Sequence, residues 1–354
     1  MKEVTSLLEK ALAESVFPGA VVWVSKDKET IYNGAFGVTE VFAKTPVTLD
    51  TIYDLASLTK PLATTMLALK LLQQGVITLD DSIAKWMEGC KHTPKEKITI
   101  EQLLLHRSGL PVWEAFWYRL SGISPDEKED RLCSAIVHMP LVSDPGVEER
   151  YSDVGFILLQ KILEKVAGAP LNDAVRTWVY DPMFVGLFFG PDKEMTALEV
   201  AATELCAHRK GMMKGVVHDE NAWAMGGVAG HAGLFGTAEE VYKLLQKIQD
   251  AFDADEVTHG LDPMWVRRFL TRKNGCGRVL GFDCPNMENA SCGRYFSDET
   301  VGHLGFTGTS FWMDLKEKVM VILLTNRVHP SRYNQRIRDF RPVFHDRVWQ
   351  ALLS

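Results

Sequence analysis

Runs with strand character stand at both ends of this chain. Residues 20–24 and 31–36 form one pair, linked by the polar stretch Ser25 to Thr30. Residues 309–315 and 319–325 form the other, linked by the charged turn Lys316-Glu317-Lys318. Lone strand pairs leave edges and a face unburied, so the two pairs are expected to share one antiparallel sheet that brings start and finish together. Met1 to Ser15 alternates charge with leucine like a surface helix, and a closing helix over 334–353 would pack on that sheet. The middle reads differently. Residues 126–139, 153–167, 171–179 and 237–250 carry helical periodicity, and Thr99 with Gln102 makes a capping box before Leu103-Leu104-Leu105. The expected fold class is α+β: an antiparallel sheet flanked by helices, with an inserted all-helical subdomain. Residues 1–75 and 285–354 would form a discontinuous α/β domain, and 76–284 the largely helical insertion.

At 354 residues the chain can bury a full core. Its 46% apolar and 24% charged content is ordinary for a soluble enzyme, and a net charge of -7 gives no pull toward nucleic acid or an anionic membrane. No apolar run is long enough to span a bilayer, and the first residues lack the pattern of a signal peptide, so a cytoplasmic location is expected. The six cysteines form no Cys-x-x-Cys pair. Cys276, Cys284 and Cys292 recur at equal spacing with His303 beyond, which makes zinc conceivable, but reduced thiols are the preferred reading and no metal or other cofactor is expected.

Ser-x-x-Lys occurs three times, and context separates the copies. Ser25 to Lys28 lies in the hairpin link, and Ser82 to Lys85 follows Asp80-Asp81 as a helix start. Only Ser57-Leu58-Thr59-Lys60 opens a long apolar helix, through Leu62, Met66, Leu69 and Leu72 to a stop at Gly75. Three residues apart on a helix is nearly one turn, so the hydroxyl and the amine share a face. A serine hydroxyl needs a neighbouring base to become a nucleophile, and a lysine kept neutral by burial can serve. Ser57 as a plain helix cap is the competing reading.

Two further stretches carry chemistry. Tyr151-Ser152-Asp153 follows the turn Asp144-Pro145-Gly146; its phenol and carboxylate can shuttle a proton and hold an ammonium, or Asp153 can simply cap the next helix. His303-Leu304-Gly305-Phe306-Thr307-Gly308 leads into the strand at 309; its glycines admit a close ligand and its N–H groups can face an oxyanion, or it is a plain glycine-rich turn.

In order along the chain, these three stretches resemble the serine β-lactamase and penicillin-binding-protein superfamily, in its class C-like branch of β-lactamases, D-alanyl-D-alanine peptidases, D-aminopeptidases and esterases. Phe17-Pro18-Gly19-Ala20-Val21-Val22, Leu103-Leu104-Leu105-His106-Arg107-Ser108-Gly109, Tyr151-Ser152-Asp153-Val154-Gly155 and Gly230-His231-Ala232-Gly233-Leu234-Phe235-Gly236 extend the resemblance over nearly the whole chain. It implies Ser57 as nucleophile, Lys60 and Tyr151 as proton-transfer groups, Asp153 as the orienter of Lys60, and His303 tuning the Lys60–Tyr151 pair. It implies an oxyanion hole of the Ser57 and Phe306 N–H groups, with Trp113, His231, Gly305 and Thr307 binding substrate.

The usual Tyr-x-Asn is here Tyr-x-Asp, and the usual Lys-Thr-Gly is His303-Leu304-Gly305. A histidine charged only part of the time would weaken selection for a substrate carboxylate. The implied partner is a small-molecule ester, amide or β-lactam, turned over through an acyl-enzyme; the alternatives are a D-amino-acid peptidase or DD-carboxypeptidase, or a penicillin-binding sensor that does not turn over.

Overall fold

The structure, a computed structural model, describes residues 1–190, 200–273, 276–285 and 290–353. The two ends of the chain do share a sheet. β1 (Gly19–Lys26) and β2 (Glu29–Gly37) meet through Asp27-Lys28, both with positive φ, the geometry of a two-residue hairpin turn that follows strand twist. β3 (Arg278–Val279), β4 (Phe282–Asp283), β5 (Thr300–Leu304), β6 (Ser310–Asp314) and β7 (Val319–Thr325) complete seven strands in the order β2-β1-β7-β6-β5-β4-β3. β1 lies antiparallel on β7, from Ala20 opposite Thr325 to Lys26 opposite Val319.

Alternation assigns the two faces. Val22, Val24, Val321 and Leu323 pack with Val4 and Leu8 of α1 (Lys2–Ala13) and with Phe340, Phe344 and Val348 of the closing helix Ile337–Leu353. Val21, Ile322 and Leu324 join the main core, which includes Leu244, Leu245 and Ile248 of the helix Ala238–Asp253. Both faces are covered, so β7 is buried along its length.

Residues 278–283, grouped with the helical stretch by sequence, extend the sheet instead. Their two-residue strands, around the left-handed Gly281, are too short to show a period. Between the sheet strands, α2 (Met66–Gln73) and α3 (Asp153–Ala167) build the core of the helical side. α3 is buried continuously from Val154 to Leu163 and ends on the left-handed Gly168. The capping box at Thr99 and Gln102 is formed. The copy at Ser82 is a helix cap with Lys85 exposed beside Asp81, as its context suggests. No described helix is long and apolar enough to cross a membrane.

Truncating Phe344, fully buried between the closing helix and the sheet, is expected to cost about 3–5 kcal/mol in Phe344→Ala, measured by urea unfolding. Tyr333→Ala, at a highly exposed ring, should stay within about 0.5 kcal/mol of the native chain.

Candidate active site

The segment before Ser57 turns sharply. Tyr53 and Asp54 pair with Gly236 and Phe235, and the chain then passes Ala56 at φ 49° before entering a single 3-10 turn, Ala56–Leu58. An L-residue in the left-handed region costs about 1–2 kcal/mol. Its surroundings supply restraints. Asp54 Oδ1 accepts the Ala56 N–H at 2.9 Å, the Ala56 carbonyl accepts the Thr59 hydroxyl at 2.6 Å, and the Leu55 carbonyl accepts the Thr309 hydroxyl at 3.0 Å. A wider π turn, Lys60–Thr65, follows before α2, where sequence pattern suggested a continuous helix. Pro61 has no N–H to offer the carbonyl four residues back, which favours the irregular turn.

Lys60 is fully buried and meets three acceptors. Its Nζ lies 3.1 Å from Ser57 Oγ, 3.1 Å from the His231 carbonyl and 2.7 Å from Asp153 Oδ1. Burial alone pushes the amine toward neutrality, but the Asp153 carboxylate and the Tyr151 phenol act the other way and prevail, so its pKa is raised. The expectation of a neutral lysine is therefore corrected: Lys60 rests as an ammonium, hydrogen-bonded to Ser57 and the His231 carbonyl and ion-paired with Asp153.

The start of α3 explains why that carboxylate is available. Ser152, not Asp153, caps the helix, its Oγ accepting from the Gly155 N–H at 3.0 Å. The Ser152 N–H donates to His106 Nδ1 at 3.0 Å, and the Asp153 N–H to the Val112 carbonyl at 2.8 Å. Both bonds fix the tripeptide and leave the Asp153 carboxylate free for Lys60. The Tyr151 ring centroid lies 4.7 Å from Lys60 Nζ and 4.6 Å from the His106 ring. Burial raises the phenol's pKa; the Lys60 charge opposes that without cancelling it. The phenol is neutral at rest.

The β5–β6 hairpin forms the facing wall. A Cβ on Gly305 would sit 2.0 Å from Thr309 Oγ1 and 2.7 Å from the Leu55 carbonyl, so only glycine lets the hairpin lie against the Ser57 turn. A cavity of about 1230 Å³ takes in Ser57, Tyr151, His303, Gly305 and Phe306. Phe306 is half-exposed there, under the Arg327 guanidinium at 4.6 Å.

Three expectations, two on this wall and one on the segment before Leu234, meet a different geometry. His303 is buried with its Nδ1 facing the Leu304 carbonyl at 2.9 Å; burial first, then Lys60 and Arg278, push its pKa well down, so it is neutral rather than partly charged. Thr307 is buried with its hydroxyl donated to the Asp54 carbonyl at 2.7 Å, which makes it a brace of the turn. His231 is 1% exposed; its ring pairs with Asp219 at 2.8 Å, and only its carbonyl reaches the site. Trp113, 45% exposed, stands next to Val112 and is not among the residues lining the Ser57 cavity.

Sequence reading missed Arg278, Asp283, Glu149 and His106. Arg278 lies 5.3 Å from the Tyr151 ring centroid, in contact with Asp283 and 3.4 Å from Glu149. His106 stands in the stretch from Leu103 to Gly109 already noted, but no motif surrounds Arg278, Asp283 and Glu149, and Arg278 and Asp283 lie on strands too short to predict.

The sequence model of the family described as Beta-lactamase matches residues 4–342. A putative D-alanyl-D-alanine carboxypeptidase of Salmonella paratyphi A is 30% identical, over 91% of this chain and 81% of its own. N-acetylmuramyl-L-alanine amidase of Bacillus subtilis is also 30% identical, over 93% and 81%. Among solved structures, EstCE1, a hydrolase with promiscuous acyltransferase activity, aligns with a TM-score of 0.74 at 23% identity, covering 96% of this chain and 98% of its own. The octameric penicillin-binding protein homologue from Pyrococcus abyssi aligns at 0.75 and 23% identity, covering 99% and 77%. At these identities the two structures speak for the fold alone.

The Lys60–Asp153 pair makes a direct prediction. In Asp153→Asn, burial acts against weaker opposition, so the Lys60 amine should deprotonate at a lower pH than in the native chain. A 15N NMR titration of the lysine Nζ resonances reads this; an unmoved midpoint would contradict the ion pair as the source of the raised value.

Proposed function

This chain belongs to the β-lactamase family and is a serine hydrolase, and from that premise we propose that it works through an acyl-enzyme on Ser57. The observation that carries the proposal is the contact between the Ser57 hydroxyl and the Lys60 ammonium at 3.1 Å, with Asp153 at 2.7 Å behind it.

Ser57 Oγ attacks the substrate carbonyl carbon. Its proton passes to Lys60 as Lys60 gives one to Asp153, so the ammonium stays charged and Asp153 stores the proton. The carbonyl oxygen, now negative, is received by the backbone N–H groups of Ser57 and Phe306. On collapse the C–N or C–O bond breaks. Tyr151 protonates the leaving group, recovers a proton from Lys60, and Lys60 recovers one from Asp153. Water then follows the same relay in reverse: its proton moves through Tyr151 and Lys60 to Asp153, and its oxygen attacks the acyl carbon. Release of Ser57 with its proton returned completes the cycle. Arg278 and His106 position the Tyr151 ring between them.

We take the substrate to be a small ester or amide. His303 supplies no cation and Arg278 is already engaged by Asp283 and Glu149, so a negative group on the substrate would be met by the arginines that line the same cavity, Arg327, Arg338 and Arg341. An amide is the stronger candidate bond, because the relatives at 30% identity are named for amide cleavage as a putative carboxypeptidase and an amidase. Six free cysteines suit a reducing compartment, in keeping with a cytoplasmic site of action. Residues 76–284, less the sheet strands at 278–283, would then be the helical insertion that supplies Tyr151 and Asp153.

Labelling by a fluorophosphonate or a fluorescent penicillin tests the nucleophile. Native protein should label and Ser57→Ala should not; a Ser57→Ala chain that still takes label sinks the assignment. Parallel rates on a nitrophenyl ester, nitrocefin and a D-alanyl peptide would rank the bonds, and a burst with no steady state would indicate a sensor.

A further inference from the structure

One dipeptide, remote in sequence, holds both the nucleophile's backbone and the lysine. The His218 N–H donates to Asp54 Oδ2 at 2.6 Å, while Asp54 Oδ1 accepts the Ala56 N–H at 2.9 Å. The next residue, Asp219, pairs through Oδ1 with His231 Nε2 at 2.8 Å. The His231 carbonyl accepts from Lys60, and Lys60 reaches Ser57. The contacts close a ring: Ser57, Ala56, Asp54, His218, Asp219, His231, Lys60 and back to Ser57. Asp219 is itself fixed, because it also caps the helix Glu220–Ala224 through the Ala222 N–H at 2.8 Å.

Asp54 is the unusual member. It is 2% exposed, and each of its carboxylate oxygens accepts a backbone N–H. One of those N–H groups belongs to Ala56, which stands at φ 49° immediately before Ser57. A carboxylate offers an acceptor at both oxygens, whereas an amide offers one acceptor and turns donors toward the other N–H. The two-sided demand explains an aspartate in a buried place where its charge is disfavoured.

We infer that Asp54 is a positioning residue of the catalytic serine: its carboxylate holds Ala56 left-handed and ties that turn to the 218–219 loop, so that Ser57 Oγ and Lys60 Nζ are aimed from one anchor. The inference rests on Ser57 being the nucleophile. It places Asp54 outside the proton relay and outside the substrate cavity.

The test compares native protein, Asp54→Asn, Ala56→Gly and the double variant. The readouts are kcat and KM on a nitrophenyl ester, the rate of fluorophosphonate labelling, and thermal unfolding. Asp54→Asn should lower kcat and the labelling rate by about tenfold or more, with KM held within about twofold. Glycine reaches positive φ without penalty, so the double variant should regain several-fold of the loss, while Ala56→Gly alone changes kcat by less than about threefold. A buried aspartate that only stabilised the fold would not be rescued at residue 56. Native kcat in Asp54→Asn, or a folded double variant no faster than Asp54→Asn, overturns the inference. Should Asp54→Asn fail to fold, Ala56→Val poses the same question, since a β-branched residue resists the left-handed region; native kcat in that variant is equally fatal. Labelling of Ser57→Ala would end the nucleophile reading, whereas native-rate labelling of Asp54→Asn with Ser57→Ala silent would end only this one.

Discussion

A lysine ammonium out of reach of water governs this structure. Removing such a charge from solvent costs several kcal/mol even after relaxation, and only good pairing offsets it. Lys60 meets that demand with partners from three parts of the chain, two of them remote in sequence: Ser57 beside it, Asp153 at the head of α3, and the His231 carbonyl. Their convergence is thus a condition for burying Lys60 at all. The same condition makes the cluster chemically useful, because a charge that cannot relax into water holds its neighbours in fixed relation to the serine hydroxyl.

The backbone around the serine is braced by hydroxyls. Thr307, Thr309 and Thr59 donate in turn to the carbonyls of Asp54, Leu55 and Ala56. These carbonyls lie at the end of the Tyr53–Asp54 strand and in the turn that follows, and each would be costly to bury unpaired. Two of the three threonines come from the β5–β6 hairpin. The register of β6 is set by β7, and β7 is set by β1. The sheet therefore does more than carry the site: pairing between the chain's two ends determines where the turn before Ser57 can rest. Gly305 is the point of contact, since a side chain there would drive the hairpin off Leu55.

What the sequence made legible follows physical range. β7 was readable to the residue because its apolar run is bounded by a charged turn, and the capping box at Thr99 because its parts are three residues apart. Ser57 with Lys60 was readable for the same reason of local spacing. The protonation state of Lys60 was not, because it turns on Asp153, some ninety residues away by sequence numbering and 2.7 Å away in space. Thr307 and His231 misled in a common way. Both lie on loops that reach the site, but one faces inward to a carbonyl and the other presents its backbone, and side-chain direction in a loop has no sequence period to reveal it. Arg278 escaped because two-residue strands leave no pattern.

The two departures from the usual motifs belong together. Aspartate at 153 adds a negative charge where asparagine is common, and histidine at 303, held neutral, removes a positive one where lysine is common. Both changes move the local charge in the same direction. An asparagine beside Lys60 would leave the ammonium without a counter-charge and favour its neutral form; aspartate instead keeps it charged and offers a second place for the proton. A lysine at 303 would add another ammonium near Lys60 and Arg278, with no further carboxylate to balance it. The balance that results, Lys60 with Asp153 and Arg278 with Asp283 and Glu149, leaves the cations beside Tyr151 already engaged.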